Sequence, residues 1–342
     1  MPTYTYQTNA ELNEIAQDKL PRLESNRPIF EIMPIEEMDT SIIMWEQQDN
    51  YTGLQNLRGI NGALPLISQT GSKTYIERPG YYGEGEMIDE IQLTERRQRG
   101  TFATSINIQD LISEKQDKLL QRRLDRIEWL GWTLLTTGQF SVFTKNGALA
   151  HQGAYTIQQY SSVVPWATSA TATPLADLSA VQLLARGHSV NLGASATAWM
   201  NRKTYNNLRT NGNSVDLYGR RTTGLGTANN LGQINEIFMG DDLPTIRIYD
   251  EGYLADVTGT FTPFIADATV LITGKRPAGQ PIAKYIMTRN ANNPTLGPGA
   301  YMYVSNKTGE EAEGNAPSIA CFDSHNGGPA LYFPSGLVVM HV

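Results

Sequence analysis

Between Gly62 and Gly138 a charged, strand-like excursion runs directly into one long helix. The excursion reads Thr74-Tyr75-Ile76-Glu77-Arg78, then Gly83-Glu84-Gly85-Glu86, then Glu95-Arg96-Arg97-Gln98-Arg99. Period-two alternation in Met87–Leu93 and Thr101–Ile106 predicts a long, partly exposed β arm, with Gly71, Pro79, Gly80, Gly83 and Gly85 marking bends. An isolated hairpin is marginal in water, so such an arm needs a surface to lie on. No catalytic set occurs elsewhere in the chain, and a neighbouring copy is the natural surface. The chain reads as one built to assemble.

The helix is predicted from Ile108 to Thr137. Asn107 is a suitable N-cap with Asp110 three residues on, and Gly138 supplies the stop. Leu120, Leu124, Ile127, Gly131 and Leu134 recur at 4, 3, 4, 3 spacing, one apolar stripe. Glu114 and Lys118 are a favourable i, i+4 pair. At 1.5 Å per residue the helix extends roughly 45 Å. The narrow stripe predicts one side packed on a sheet and the other facing solvent or a cavity. Gly131 weakens the helix by about 1 kcal/mol relative to Ala and could permit a bend.

The remaining chain divides around this unit. Residues 1–60 form an N-terminal arm and lead-in, in which Asn9 caps a short helix bearing Leu12, Ile15, Ala16 and Lys19, stopped by Pro21. The excursion occupies 61–107. Residues 108–173 hold the long helix and a hairpin or meander. Residues 174–265 read as an α/β subdomain: a helix from Pro174 capped by Thr173 and ended by Gly187, a strand at Ala196–Met200, and a helix capped by Asn201. A polar loop follows over 211–232, then strands at Ile234–Met239 and Thr245–Tyr249. Residues 266–342 are β-rich and end in the apolar runs Leu331-Tyr332-Phe333 and Leu337–Met340, which must be built into a sheet. The 31 Gly and 17 Pro fit many turns and short strands.

Several functions are disfavoured. A net charge of −7 argues against tight contact with nucleic-acid phosphates, which needs clustered Lys and Arg; a wall that merely encloses DNA gains from weak repulsion. The single cysteine, Cys321, excludes an internal disulfide and reads as a small buried residue. Met1-Pro2-Thr3-Tyr4 carries no secretory pattern, and no apolar run is long enough to cross a membrane. His151, His188, His325 and His341 lack metal-ligand spacing and read as surface or structural residues. Gly240-Asp241-Asp242 resembles a polymerase metal turn, but with Pro244 it reads as an ordinary hairpin turn. Gly224-Leu225-Gly226 lacks the third glycine of a dinucleotide loop, and neither a nucleophile elbow nor a phosphate loop occurs. No cofactor and no metal are expected.

The candidate contacts between copies are Glu84, Glu86, Arg96, Arg97, Arg99, Arg220 and Arg221. The acids, with Asp89 and Glu90, and the three clustered arginines read equally as cross-strand pairs of a solvated hairpin or as charges fixing an adhesive arm's register on another subunit. Arg220 and Arg221 sit in the polar loop, where they either meet neighbours or are solvated.

In order, the chain gives an N-terminal arm, an extended β excursion, one long helix, a hairpin, an α/β subdomain and a β-rich return. This α+β order resembles the Hong Kong 97-type fold of tailed-bacteriophage major capsid proteins, and in length and detail the lambda-type capsid protein E family. The resemblance rests on Leu64–Ile108, Ile108–Thr137 and Ala268–Gly279, and it covers essentially the whole chain. It implies that 61–107 is the E-loop lying over an adjacent subunit, that the long helix is the spine of a peripheral P domain, and that 174–265 is an axial A domain whose 211–232 loop approaches a ring axis. It further implies hexamers and pentamers of an icosahedral shell enclosing double-stranded DNA, a portal, and assembly in the host cytoplasm into a virion. The short N-terminal arm suggests a separate scaffolding protein. With no Lys–Asn cross-linking pair identifiable, non-covalent stabilisation, with or without a decoration protein, is expected. A nanocompartment shell of the same fold and, less favoured, a soluble α/β enzyme are the alternatives.

Overall fold

The computed structural model describes residues 8–48, 54–55, 57–58, 60, 62, 72–95, 108–186, 188, 190–211, 230–254, 259–275, 280–307 and 318–342. Two helices open the chain, α1 (Asn9–Ser25) and α2 (Ile29–Ile32). The cap of α1 is Thr8, not Asn9: the Glu11 amide donates to the Thr8 hydroxyl at 3.3 Å and the Thr8 amide donates to Glu11 Oε2 at 2.7 Å. This reciprocal pair satisfies two amides that a helix start leaves open. Pro21 lies inside α1 and does not end it. A proline orphans the carbonyl four residues back; here that is Gln17, and both residues are exposed to water.

The excursion splits in two. After β1 (Ile35–Glu37) come β2 (Ile43–Gln48) and β3 (Ser72–Glu77), which pair antiparallel from Ile43↔Glu77 to Gln48↔Ser72. The arm's strands therefore begin upstream of residue 61. Next, β4 (Gly80–Ile88) is not free: it pairs antiparallel with a strand near the chain's end, from Ile88↔Ile319 to Gly80↔Gly327. The strand pattern expected to run through Leu93 stops at Ile88, and α3 (Glu90–Glu95) follows. Asp89 Oδ1 accepts from the Gln92 amide at 2.8 Å, the bond that starts a helical turn. The alternation expected at Thr101–Ile106 and the cap expected at Asn107 lie outside the described residues.

The spine helix α4 spans Ile108–Thr137, as expected. Its first half is amphipathic, but from Ile127 to Leu135 only Trp129 and Thr133 escape full burial. The single apolar stripe underestimates this enclosure because two aromatics add to it. Trp132 stands edge-on to Trp199 at 5.7 Å and stacks on Tyr249 at 5.2 Å. Gly131 admits α2: a Cβ there would lie 2.6 Å from Met33 Cε and 2.9 Å from Ile29 Cγ1. Gly138 ends the helix at φ +70°, donating to the Leu134 carbonyl at 2.8 Å.

Beyond the spine lie the hairpin β5 (Gln139–Phe143) and β6 (Leu149–Ala154), then β7 (Gln158–Ser161). Helix α5 (Pro174–Leu184) starts with proline in its first turn, although the Thr173 side chain makes no capping bond. Strand β8 (Thr197–Met200) leads into α6 (Arg202–Thr210), which Asn201 caps by accepting from the Thr204 amide at 2.8 Å. The expected strand at Ile234–Met239 is a helix, α7 (Leu231–Gly240). Asn230 and Gln233 form a reciprocal cap, and Ile234 and Phe238 are buried one turn apart, a helical spacing that the apolar run obscured. Gly240-Asp241-Asp242 consequently closes a helix instead of turning a hairpin. Strands β9 (Thr245–Ile248), β10 (Gly252–Leu254), β11 (Phe261–Pro263), β12 (Thr269–Thr273), β13 (Ala283–Met287), β14 (Tyr301–Lys307), β15 (Ser318–Leu331) and β16 (Leu337–His341) complete the order.

Among the described residues, two five-stranded sheets carry the fold. The first has the order β1-β13-β15-β14, with β4 also on β15; the second has the order β7-β16-β12-β8-β9. The segment 174–265 does not close the second sheet alone: β7, β12 and β16 enter from either side. In β16, Leu337 and Val339 face the core around the spine, while Val338 and Met340 face the core under α5, α6 and α7. A strand buried on both faces needs a continuous apolar run, which explains Leu337–Met340.

Buried charges tie the spine to its surroundings. Glu128, 3% exposed, accepts from Arg27 Nη1 at 2.9 Å, from Trp132 Nε1 at 3.2 Å and from the Tyr249 hydroxyl. Arg123 Nη1 donates to Asp323 Oδ1 at 2.7 Å, both side chains 4% exposed. Beside them His325 is buried, stacked on Tyr82 at 5.1 Å with Nε2 3.2 Å from the Tyr285 hydroxyl. Burial, with the positive charges of Arg123 and Arg126, pushes its imidazole down to about 3. The unfolded imidazole takes a proton below about pH 6.5, so this stability is present above that pH and lost as pH falls toward 3. Between pH 7 and pH 5, urea melts of the native chain should lose about 2 kcal/mol more than those of His325→Phe; equal losses would show that His325 charges without penalty.

Candidate assembly surfaces

The root of the β2–β3 arm is fixed by side chains that alternate toward the body. Trp45 and Tyr75 are direct partners across the pair and stack at 5.4 Å, with Tyr155 6.1 Å from Trp45. Glu77, 4% exposed, accepts from the Tyr155 hydroxyl at 2.9 Å and is bonded to His151 Nε2. Burial first, then the Glu77 charge and hydrogen bond, push the Tyr155 phenol well above its usual range, so it stays a donor. The other face of the arm turns outward. Met44 and Ile76, also direct partners, are 63% and 59% exposed, and Ile42 beside them is exposed. Leu54, Leu57 and Ile60, between the two strands, are bare along almost their whole surface. Grouped exposed apolar residues mark interaction surfaces.

Glu84 and Glu86 sit on the face of β4 that meets the spine. Glu84 Oε1 accepts from Arg122 Nε at 2.8 Å, and Glu86 Oε1 from Lys115 Nζ at 2.6 Å and Lys118 Nζ at 2.9 Å. Partial burial raises the Glu86 carboxyl, but the two lysine hydrogen bonds outweigh it and leave the group below its ordinary range. Both glutamates thus have partners within their own chain. Those partners were missed by sequence reasoning, although Lys115, Lys118 and Arg122 at i, i+3 and i+7 share one helix face. Arg96, Arg97, Arg99, Arg220 and Arg221 lie outside the described residues.

The opposite face of the same sheet is aromatic. Tyr81 and Met87 are exposed on β4, with Gly83 and Gly85 between them. Phe322 on β15 leans into the space over Gly85, where any Cβ would overlap its ring. Tyr303 stacks on Phe322 at 5.0 Å, and Tyr301 on Tyr303 at 6.3 Å. A smaller apolar patch is the cross-strand pair Leu254↔Phe261 of β10 and β11, both exposed.

Among the described residues no group of three or more His, Cys, Asp or Glu could hold a metal, and no helix is long and apolar enough to cross a membrane. Asp242 instead serves the backbone, accepting from the Ala194 amide at 2.9 Å. His151 and His325 are structural, each bonded inside the fold.

Residues 25–314 match the family model described as phage major capsid protein E. No curated protein matches the chain. Among solved structures it is similar to a prophage protein of E. coli CFT073 assigned as a capsid protein, with a TM-score of 0.65 and 13% identity over 99% of both chains. A phage-related protein from Bordetella bronchiseptica RB50 gives a TM-score of 0.54 at 9% identity, covering 93% of this chain and 92% of that one. The mature capsid of bacteriophage PhiM1 gives 0.50 at 9%, covering 92% and 87%. At such identities the likeness is one of fold.

Glu77→Ala strips the carboxylate from the arm's root and leaves the Tyr155 hydroxyl and His151 without it. The expected cost is about 2–4 kcal/mol in a urea melt, with faster tryptic cleavage after Lys73. Unchanged cleavage after Lys73 would mean that the aromatic stack alone holds the arm.

Proposed function

This chain belongs to the phage major capsid protein E family, and from that premise we propose that hexamers and pentamers of it close an icosahedral shell around double-stranded DNA. Its role is structural: the capsid is built from many copies of the chain. The observation that carries the finer reading is the β2–β3 arm, fixed at its root by Trp45, Tyr75 and Glu77 but bare on its outward face at Ile42, Met44 and Ile76. An anchored arm with an uncovered apolar face fits a surface on an adjacent copy, and the aromatic face of Tyr81, Met87, Tyr301 and Tyr303 suits it. Contacts of this head-to-tail kind generate rings, here closing at six or at five.

In this reading the first sheet and spine form a peripheral domain, and the region centred on 174–265 an axial one, its 211–232 loop approaching the ring axis. Glu84 and Glu86, already matched by the spine, hold β4 in place, while Arg96, Arg97 and Arg99 carry charge to the neighbour. The net charge of −7 suits a wall that encloses DNA without gripping its phosphates. A separate scaffolding protein, a portal and a decoration protein are the proposed partners, with assembly in the host cytoplasm and residence in the virion. No enzymatic step, cofactor or membrane is involved.

Negative-stain electron microscopy of the purified chain, with and without its scaffold, tests the shell. Closed particles containing DNA when recovered from infected cells support it; protein-filled particles point to a nanocompartment, and small oligomers in every sample overturn both. Reversing Arg96, Arg97 and Arg99 to Glu should abolish particles while leaving the circular dichroism of the subunit intact. Normal particles from that variant would remove these arginines from the interface.

A further inference from the structure

On one side β14 pairs with β15; on the other, no described strand lies beside it. An open strand edge is a template for another chain. Here two asparagines of α1 occupy it. Asn13 Nδ2 donates to the Met302 carbonyl at 2.8 Å, and the Met302 amide donates to Asn13 Oδ1 at 2.8 Å. One side-chain amide thereby supplies the donor and acceptor that a facing strand residue would supply. One helical turn earlier, Asn9 Oδ1 accepts from the Val304 amide at 3.1 Å. The spacing explains the fit: four helical residues advance about 6 Å and two strand residues about 7 Å.

This cover is lightly held. Only Leu12 and Ala16 of α1 are fully buried. Gln116 Nε2 donates to the Leu12 carbonyl at 2.5 Å, and the pair Lys19–Asp117 is half exposed, a kind of contact worth little. The strand beneath, Tyr301-Met302-Tyr303-Val304-Ser305-Asn306-Lys307, has high β propensity, no Gly or Pro, and one charge, at its end. Two such strands paired antiparallel would place their lysines at opposite ends.

We propose that α1 is a removable guard on the β14 edge, and that lifting it opens that edge to β14 of a second copy. The guard keeps free subunits from pairing edge to edge outside the shell. This inference is independent of the ring geometry proposed above, because it concerns the unassembled chain.

The test is hydrogen exchange on the double variant Asn9→Ala/Asn13→Ala, below the concentration at which particles form. The Met302 and Val304 amides should exchange at least about fivefold faster, with the amides of α4 unchanged. Raising the concentration should give dimers or larger species by sedimentation, and the two amides should regain protection as a second strand covers them. Unchanged exchange at both amides overturns the guard. Fast exchange without self-association, or self-association that leaves both amides fast, overturns the proposed occupant. Should the double variant not fold, Asn9→Ala alone, at an exposed position, must accelerate Val304 and spare Met302; equal rates at Val304 overturn the proposal.

Discussion

The Glu128 carboxylate is the contact on which the rest of the arrangement turns. It is almost wholly buried, and its charge is met by Arg27 from the N-terminal segment, Trp132 from its own helix and Tyr249 from the end of β9. A buried charge that loses one partner costs far more than the pair contributes to stability. The three regions are therefore locked in a single relative placement. The apolar packing around Trp132 and Trp199 supplies most of the free energy, since area removed from water dominates folding. The carboxylate supplies uniqueness, because only one rotation of the spine presents Glu128 to both Arg27 and Tyr249.

The same division recurs along α4. Its later half is enclosed by apolar side chains on nearly every face, while its earlier half meets β4 and β15 through Lys115, Lys118, Arg122 and Arg123. Three of these four ion pairs keep some access to solvent, so they are screened and individually weak. A shell subunit must let its periphery adjust between neighbours while its centre keeps one geometry. A helix enclosed along its later half, whose earlier half joins solvent-touched ion pairs to the buried Leu111, Ile112, Leu119 and Leu120, provides both in a single element.

What could be read from the sequence follows how local each signal is. The bounds of α4 were legible because thirty residues of one periodicity ended at a glycine whose φ is +70°. The starts of α5 and α6 were legible from Pro174 and Asn201, which act within one turn. Helix α7 was misread because Ile234–Met239 is a short apolar run, in which helix and strand patterns look alike; the reciprocal cap of Asn230 and Gln233 was the available clue. Strand β4 alternates as an exposed arm would, and its partner, β15, lies more than two hundred positions away. For the same reason no local pattern announces that Glu77 meets His151 and Tyr155. Contacts formed only by the fold leave no local trace.

The mixed parentage of the second sheet bears on how the protein is made. Its strands come from residues 158–161, 197–200, 245–248, 269–273 and 337–341. The central β12 therefore lacks one of its two neighbours until residue 341 has left the ribosome. Helices α5, α6 and α7 have only part of their floor until then, and non-local pairing of this kind folds slowly. A chain released early carries a β12 with one open edge and an incomplete core, the sort of species that chaperones and proteases remove. The topology thus works as an inspection step: a polypeptide missing its late strands never acquires the surfaces that a neighbouring copy would recognise. In a structure of repeated subunits, where one defective member weakens every contact around it, completeness is checked before incorporation.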